Sequence, residues 1–107
     1  SLDLKALTDV FGDDMETIKE ILNEYIDPSK ACCGEIESAY NGRQASEVGA
    51  GAHKLKSSSR SIGANDLADL CAELELAGKN DDWETIDQLY PQLSKLMDTV
   101  IGEIGTV

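Results

Sequence analysis

Apolar residues recur every three to four positions along almost the whole chain, and period-two alternation is nearly absent. That rhythm belongs to amphipathic helices with one buried face, and it leaves no stretch for a sheet. The breaks between periodic stretches are short and rich in Gly, Asn and Asp, too brief to link separate domains. With 107 residues, 41% of them hydrophobic, the chain supports one domain around one core.

The spacing predicts a short first helix from about Asp3 to Phe11, with Leu4, Leu7, Val10 and Phe11 on one side. Gly12-Asp13-Asp14 breaks it and caps a second helix from about Asp14 to Tyr40. Its stripe is Met15, Ile18, Leu22, Tyr25, Cys32, Ile36 and Tyr40, with Ser29 filling the gap. Pro28 falls inside this pattern, and the stripe resumes in register, so a kink is expected rather than an end. A third helix covers about Gln44 to Ile62, with Gly63 as its C-terminal turn. A fourth runs from about Asn65 to Ala77, turning Leu67, Leu70, Cys71 and Leu74 inward. The fifth covers about Trp83 to Ile101, with a second kink at Pro91 and a frayed tail after Gly102. The expected fold is all-α: an antiparallel four-helix up-down-up-down bundle, with the short N-terminal helix as a lid over one end. Residues 1–107 read as a single domain, with Ser1-Leu2 as a cloning scar and the whole as a domain cut from a longer protein.

A formal net charge of −12 argues against nucleic acid and anionic membrane as partners, since either needs basic clusters. It suits a partner with a basic rim. There is no apolar run of membrane-spanning length and no signal-peptide core. Cys32, Cys33 and Cys71 are odd in number and lack CxxC spacing, so reduced thiols in a cytoplasmic monomer are expected.

Candidate chemistry sits on the third helix. Val48, Ala52, Leu55, Ser59 and Ile62 form its buried stripe, and His53, the only histidine, stands one step of roughly 100° away. On the histidine's own face follow Lys56 and Ser57, then Arg60, with Gly49 one turn before. Arg43, Lys54, Lys56 and Arg60 are four of nine basic residues, and Glu47 is the sole acid between Arg43 and Asn65. A phosphoryl group, bringing close to two negative charges, would be repelled from almost any other part of this surface. Gly49 and Gly51 each cost the helix about 1 kcal/mol against alanine, so they need a reason. Bare backbone open to a second protein is one, and tight helix packing is the other, better suited to Gly51. An ordinary imidazole, with a pKa near 6.5, is about three-quarters neutral at pH 7 and is then nucleophilic. A ring nitrogen can form a labile phosphoramidate, and exposure favours Nε2. No nucleotide-binding loop is present, so the donor must be another phosphoprotein.

Ala52-His53-Lys54-Leu55-Lys56-Ser57-Ser58-Ser59, then Ile62-Gly63-Ala64, Leu67, Leu70-Cys71 and Leu74-Glu75, closely resembles the signature of histidine phosphotransfer (HPt) domains. That signature reads AHxLKGSS, GA and LxxLCxxLE, and the match covers residues 52–75 with correct spacing. The resemblance implies that His53 is phosphorylated, that Lys56 stabilises the phosphoryl group, and that Leu55, Gly63, Leu67, Leu70 and Leu74 are structural. It implies a phosphorelay intermediate of two-component signalling, with receiver domains as partners. Mg²⁺ is then bound on the receiver, and the domain itself needs no cofactor. Such a domain stands alone or ends a hybrid sensor kinase, and it is a carrier, not an autonomous kinase. Ser57 departs from the signature glycine, which leaves room for the incoming receiver. Its small side chain reads as a tolerated variant whose hydroxyl could donate to a phosphoryl oxygen.

The receiver is expected to dock around His53, using Gly49, Lys54 and Arg60 together with Leu4, Leu7 and Phe11 of the first helix. Two other readings compete: an inert helical interaction module with His53 incidental, and a metal-binding bundle joining His53 to the cysteines. The second is disfavoured because His53 has no ligand at i+4 and the cysteines lie at core positions on other helices. Trp83 reads as the anchor of the last helix, and Asn80-Asp81-Asp82 as a solvated loop and cap, lacking the ligand spacing of a Ca²⁺ loop.

Overall fold

The computed structural model describes residues 2–107; Ser1, half of the supposed cloning scar, lies outside them. Five helices follow in order: α1 (Lys5–Phe11), α2 (Met15–Asn41), α3 (Ala45–Ser61), α4 (Asn65–Lys79) and α5 (Trp83–Ile104). No strand occurs among the described residues.

Local chemistry sets the boundaries. Asp14 caps α2 by accepting from the Thr17 N–H at 3.2 Å, and Asp82 caps α5 by accepting from the Thr85 N–H at 3.2 Å. Gly63 ends α3 with φ +79°, a left-handed conformation that favours glycine. A Cβ there would also overlap the Asp3 carbonyl, because the Asp3 N–H donates to the Gly63 carbonyl at 2.8 Å and ties the N-terminus to this turn. Both α2 and α5 continue through their prolines, as the uninterrupted stripes predict.

Three-residue turns make α2 to α5 antiparallel neighbours. The molecule is 44 Å long, close to the roughly 40 Å of its 27-residue second helix. The α3–α4 pair packs most closely, α3 also packs on α2 and α4 on α5, and the seam between α2 and α5 is looser. Ile18, Leu22 and Ile36 meet Val48 and Leu55, Leu67 and Leu74, and Ile86 and Val100 in the dry centre. A polar pair crosses it, with Tyr25 Oη and Ser59 Oγ 2.7 Å apart.

Three expectations change. Helix α4 runs two residues past Ala77, taking in Gly78, which is buried against α3. Helix α5 continues through Gly102 to Ile104, because Ile104 and Val107 pack on the core and hold the expected frayed end. In α1 only Leu7 is buried; Leu4 is half-buried, while Val10 and Phe11 face solvent, as does Met15 at the start of α2. About two turns of helix offer too little surface to bury four apolar side chains at once.

Candidate functional site

Ala52 and Leu55 are wholly buried, and α3 geometry then turns His53 outward with 60% of its side chain exposed. The nearest group from another helix is a carboxylate. Glu75 of α4 places Oε2 3.0 Å from His53 Nδ1 and accepts from Lys56 Nζ on Oε1 at 2.7 Å. Lys79 Nζ stands 3.9 Å from the same Oε2. The Glu75 side chain is only 14% exposed, so this ion cluster is set into the α3–α4 seam rather than spread over it.

Glycines bring the two helices close enough for this. A Cβ on Gly78 would stand 2.6 Å from the Ala45 carbonyl oxygen and 2.8 Å from Gly49 Cα. Backbone therefore meets backbone about one turn from His53, and a glutamate side chain can span the remaining gap. Gly49 is largely buried in this contact, so less of its backbone is open to a partner than the sequence suggested. Gly51 is packed too: a Cβ there would lie 2.6 Å from Ile36 Cγ1.

The charge of Glu75 decides the state of the imidazole. Its hydrogen bond from Lys56, aided by the one with His53, outweighs partial desolvation and holds the carboxyl below its ordinary range. An ionised carboxylate only accepts, so His53 Nδ1 must donate. In the neutral ring the lone pair then sits on Nε2, which has no hydrogen-bond partner among the described residues. The tautomer is assigned by this chemistry. The result is a nucleophilic nitrogen aimed at solvent, with its ring fixed from behind.

Other expected site residues surround it. Ser57 is exposed, and its hydroxyl donates to the His53 carbonyl at 3.3 Å, inside its own helix. Lys54 pairs with Glu35 of α2 at 3.2 Å, and Arg60 with Asp69 of α4 at 3.0 Å. Both pairs are exposed and weak, so either cation is free to turn to a stronger anion. A shallow depression of about 540 Å³ beside the ring is floored by Gly49 and Ala50 and bounded by Ser46 and Lys79. On the ring's other side lies a polar notch of Lys56, Ser57, Arg60 and Ser61. Of the three apolar residues expected to meet the receiver, Leu7 is buried, Phe11 is 38% exposed, and Leu4, just before α1, is half-buried.

The carboxylate was the residue that sequence reading missed. Counting acids along α3 finds the histidine's surroundings clear, yet Glu75 arrives from the next helix. A signal existed: Glu75 follows the buried Leu74 and so flanks the α4 stripe, as His53 flanks that of α3.

Residues 20–103 match the family model of the Hpt domain. The chain belongs to the Hpt domain family. This Hpt domain is a histidine phosphotransfer module of two-component phosphorelays, a phosphocarrier whose partners are receiver domains. Its fold is similar to that of histidine-containing phosphotransfer protein B (HptB) from Pseudomonas aeruginosa PAO1, with a TM-score of 0.89 and 21% identity, over 98% of this chain and 91% of that one. No curated protein sequence shows significant similarity to the chain. The matched segment begins within α2, so α1 lies outside it. No helix among the described residues is long and apolar enough to cross a membrane.

Proposed function

We propose that His53 Nε2 takes the phosphoryl group from the aspartyl phosphate of one receiver domain and passes it to the aspartate of another. The observation that carries this reading is the ionised Glu75 on Nδ1, 3.0 Å away, which leaves the exposed Nε2 as the nucleophile. In the loading step the Nε2 lone pair attacks phosphorus, the acyl-phosphate P–O bond breaks, and the receiver aspartate leaves as a carboxylate. The ring becomes positive, and Glu75 lies against that charge. Unloading reverses each movement, so neither direction requires a proton to change hands. Lys56, already at the site, is the cation nearest to serve the phosphoryl oxygens, with Lys54 and Arg60 able to leave their exposed partners. Mg²⁺ belongs to the receiver and offsets charge on the acceptor side. The domain carries no nucleotide site of its own and acts as a cytoplasmic monomer, docking through the His53 face, with Leu4 and Phe11, at the two ends of α1, as further receiver contacts.

Incubation with a phosphorylated receiver tests this. Acid-labile, base-stable label is expected on the wild type and none on His53→Gln. Lys56→Ala should keep its fold and lose at least roughly tenfold in transfer rate, the loss expected for one charge-assisted contact made in the transition state. Absence of label on the wild type would leave only an inert interaction module.

A further inference from the structure

The phosphorylated state poses a problem that the free state does not. When Nε2 gives up phosphorus, the ring must take back the bonding pair. It leaves as neutral imidazole if Nδ1 carries a proton, and as a far poorer imidazolate leaving group if it does not. We infer that Glu75 keeps Nδ1 protonated in the phosphohistidine as well, making this domain a fast donor instead of a stable store. The inference rests on His53 being the carrier, as proposed above.

The groups around the ring favour this. From α3 come His53 itself, Lys56, and Lys54, which is engaged by Glu35 of α2; from α4 come Glu75 and Lys79. Among the described residues only Glu75 hydrogen-bonds Nδ1, and it is held from behind by Lys56 at 2.7 Å, so the carboxylate cannot swing away without abandoning an ion pair. The cations oppose protonation of the ring, yet Lys56 sits on the far oxygen of Glu75, and Lys79, 3.9 Å from the near one, is beyond hydrogen-bond range of it. An adjacent anion stabilises the protonated phosphoimidazole and moves its loss of the proton to higher pH. Below that pH the donor is reactive; above it, unloading slows.

Phosphoryl transfer to water reads this directly, because the N–P bond breaks, a P–O bond to water forms, and water's proton goes to solvent. The domain is loaded with potassium phosphoramidate, which needs no receiver, and decay is followed by phosphorus NMR between about pH 5 and pH 10. Glu75→Gln retains an oxygen acceptor for Nδ1–H but no charge. Its decay profile should have a midpoint about one pH unit below that of the wild type. Above the wild-type midpoint it should decay about tenfold more slowly, and at the acidic end the two should coincide. A merely structural role for Glu75 would not be cancelled by acid. Superposed profiles would overturn the inference. Should the variant not fold, wild-type domain loaded and then unfolded in urea gives the reference: the folded midpoint must lie above the unfolded one, and equal midpoints refute the idea. Label absent from the wild type, or persisting in His53→Gln, refutes the carrier reading itself, whereas label on His53 with coincident profiles refutes only the role of Glu75.

Discussion

Ser57 replaces the glycine of the family signature, and what its hydroxyl does is therefore a question about one atom. It donates to the His53 carbonyl at 3.3 Å, a contact within α3 that does nothing for a phosphoryl group. Ser57→Ala should accordingly leave transfer rates within roughly twofold of wild type, since only a local back-bond is lost. Ser57→Gly should transfer equally well and lose about 0.5 kcal/mol of stability through helix propensity, read from urea unfolding. A large fall in rate for the alanine variant would return the hydroxyl to the chemistry. The cysteines make the same point in reverse. Burial pushes the Cys33 thiol to about 11 and the Cys71 thiol to about 12, so almost no thiolate exists at pH 8. Both should resist alkylation in the folded protein and react once it is unfolded in urea. His53 and Lys56 were legible from sequence because both lie on one helix face and helix geometry is known in advance. Glu75 was not, because its partnership depends on how far apart two helices pack.

That separation is set by elements rather than by residues. Periodicity located all five helices, and Asp14, Asp82 and Gly63 marked three of their ends correctly. Periodicity gave no warning that α4 would run on through Gly78, since a glycine after an apolar stripe reads as a stop. Here the glycine is a contact surface: it lets α4 lie against Gly49 of α3, and the same contact delivers Glu75 to His53. Gly78→Ala tests the coupling. The added methyl would lie 2.6 Å from the Ala45 carbonyl oxygen, a clash with backbone that no side-chain rotation relieves. Overpacking of this kind is expected to lower stability by about 1–3 kcal/mol. It should also push Glu75 away from the ring, so nitrogen NMR of His53 should show the Nδ1–H tautomer giving way to a mixture. Lost stability with an unchanged tautomer would separate the glycine contact from the site.

At the scale of the molecule the fold followed from rhythm alone, because four amphipathic helices joined by three-residue turns have few ways to bury their stripes. The exposed corner of Val10, Phe11 and Met15 did not follow, since the sequence cannot say which of several apolar residues a short helix leaves out. Net charge could be counted but its effect depends on placement. At −12 the surface repels itself at neutral pH, which weakens the folded state. Four carboxylates tie stability to pH. Asp14 and Asp82 are lowered by hydrogen bonds from their threonines, Asp87 by those from Tyr40 and Arg43, and Glu75 by those from Lys56 and His53. Groups lowered by folding contribute stability that is complete above their unfolded pKa and disappears as pH falls through the folded one. Urea midpoints should therefore fall as pH drops below about 4, and at pH 7 they should increase with added salt, which screens the repulsion without protonating any cap. Midpoints that stay level below about pH 4 would mean that the caps and the Glu75 cluster contribute no net stability.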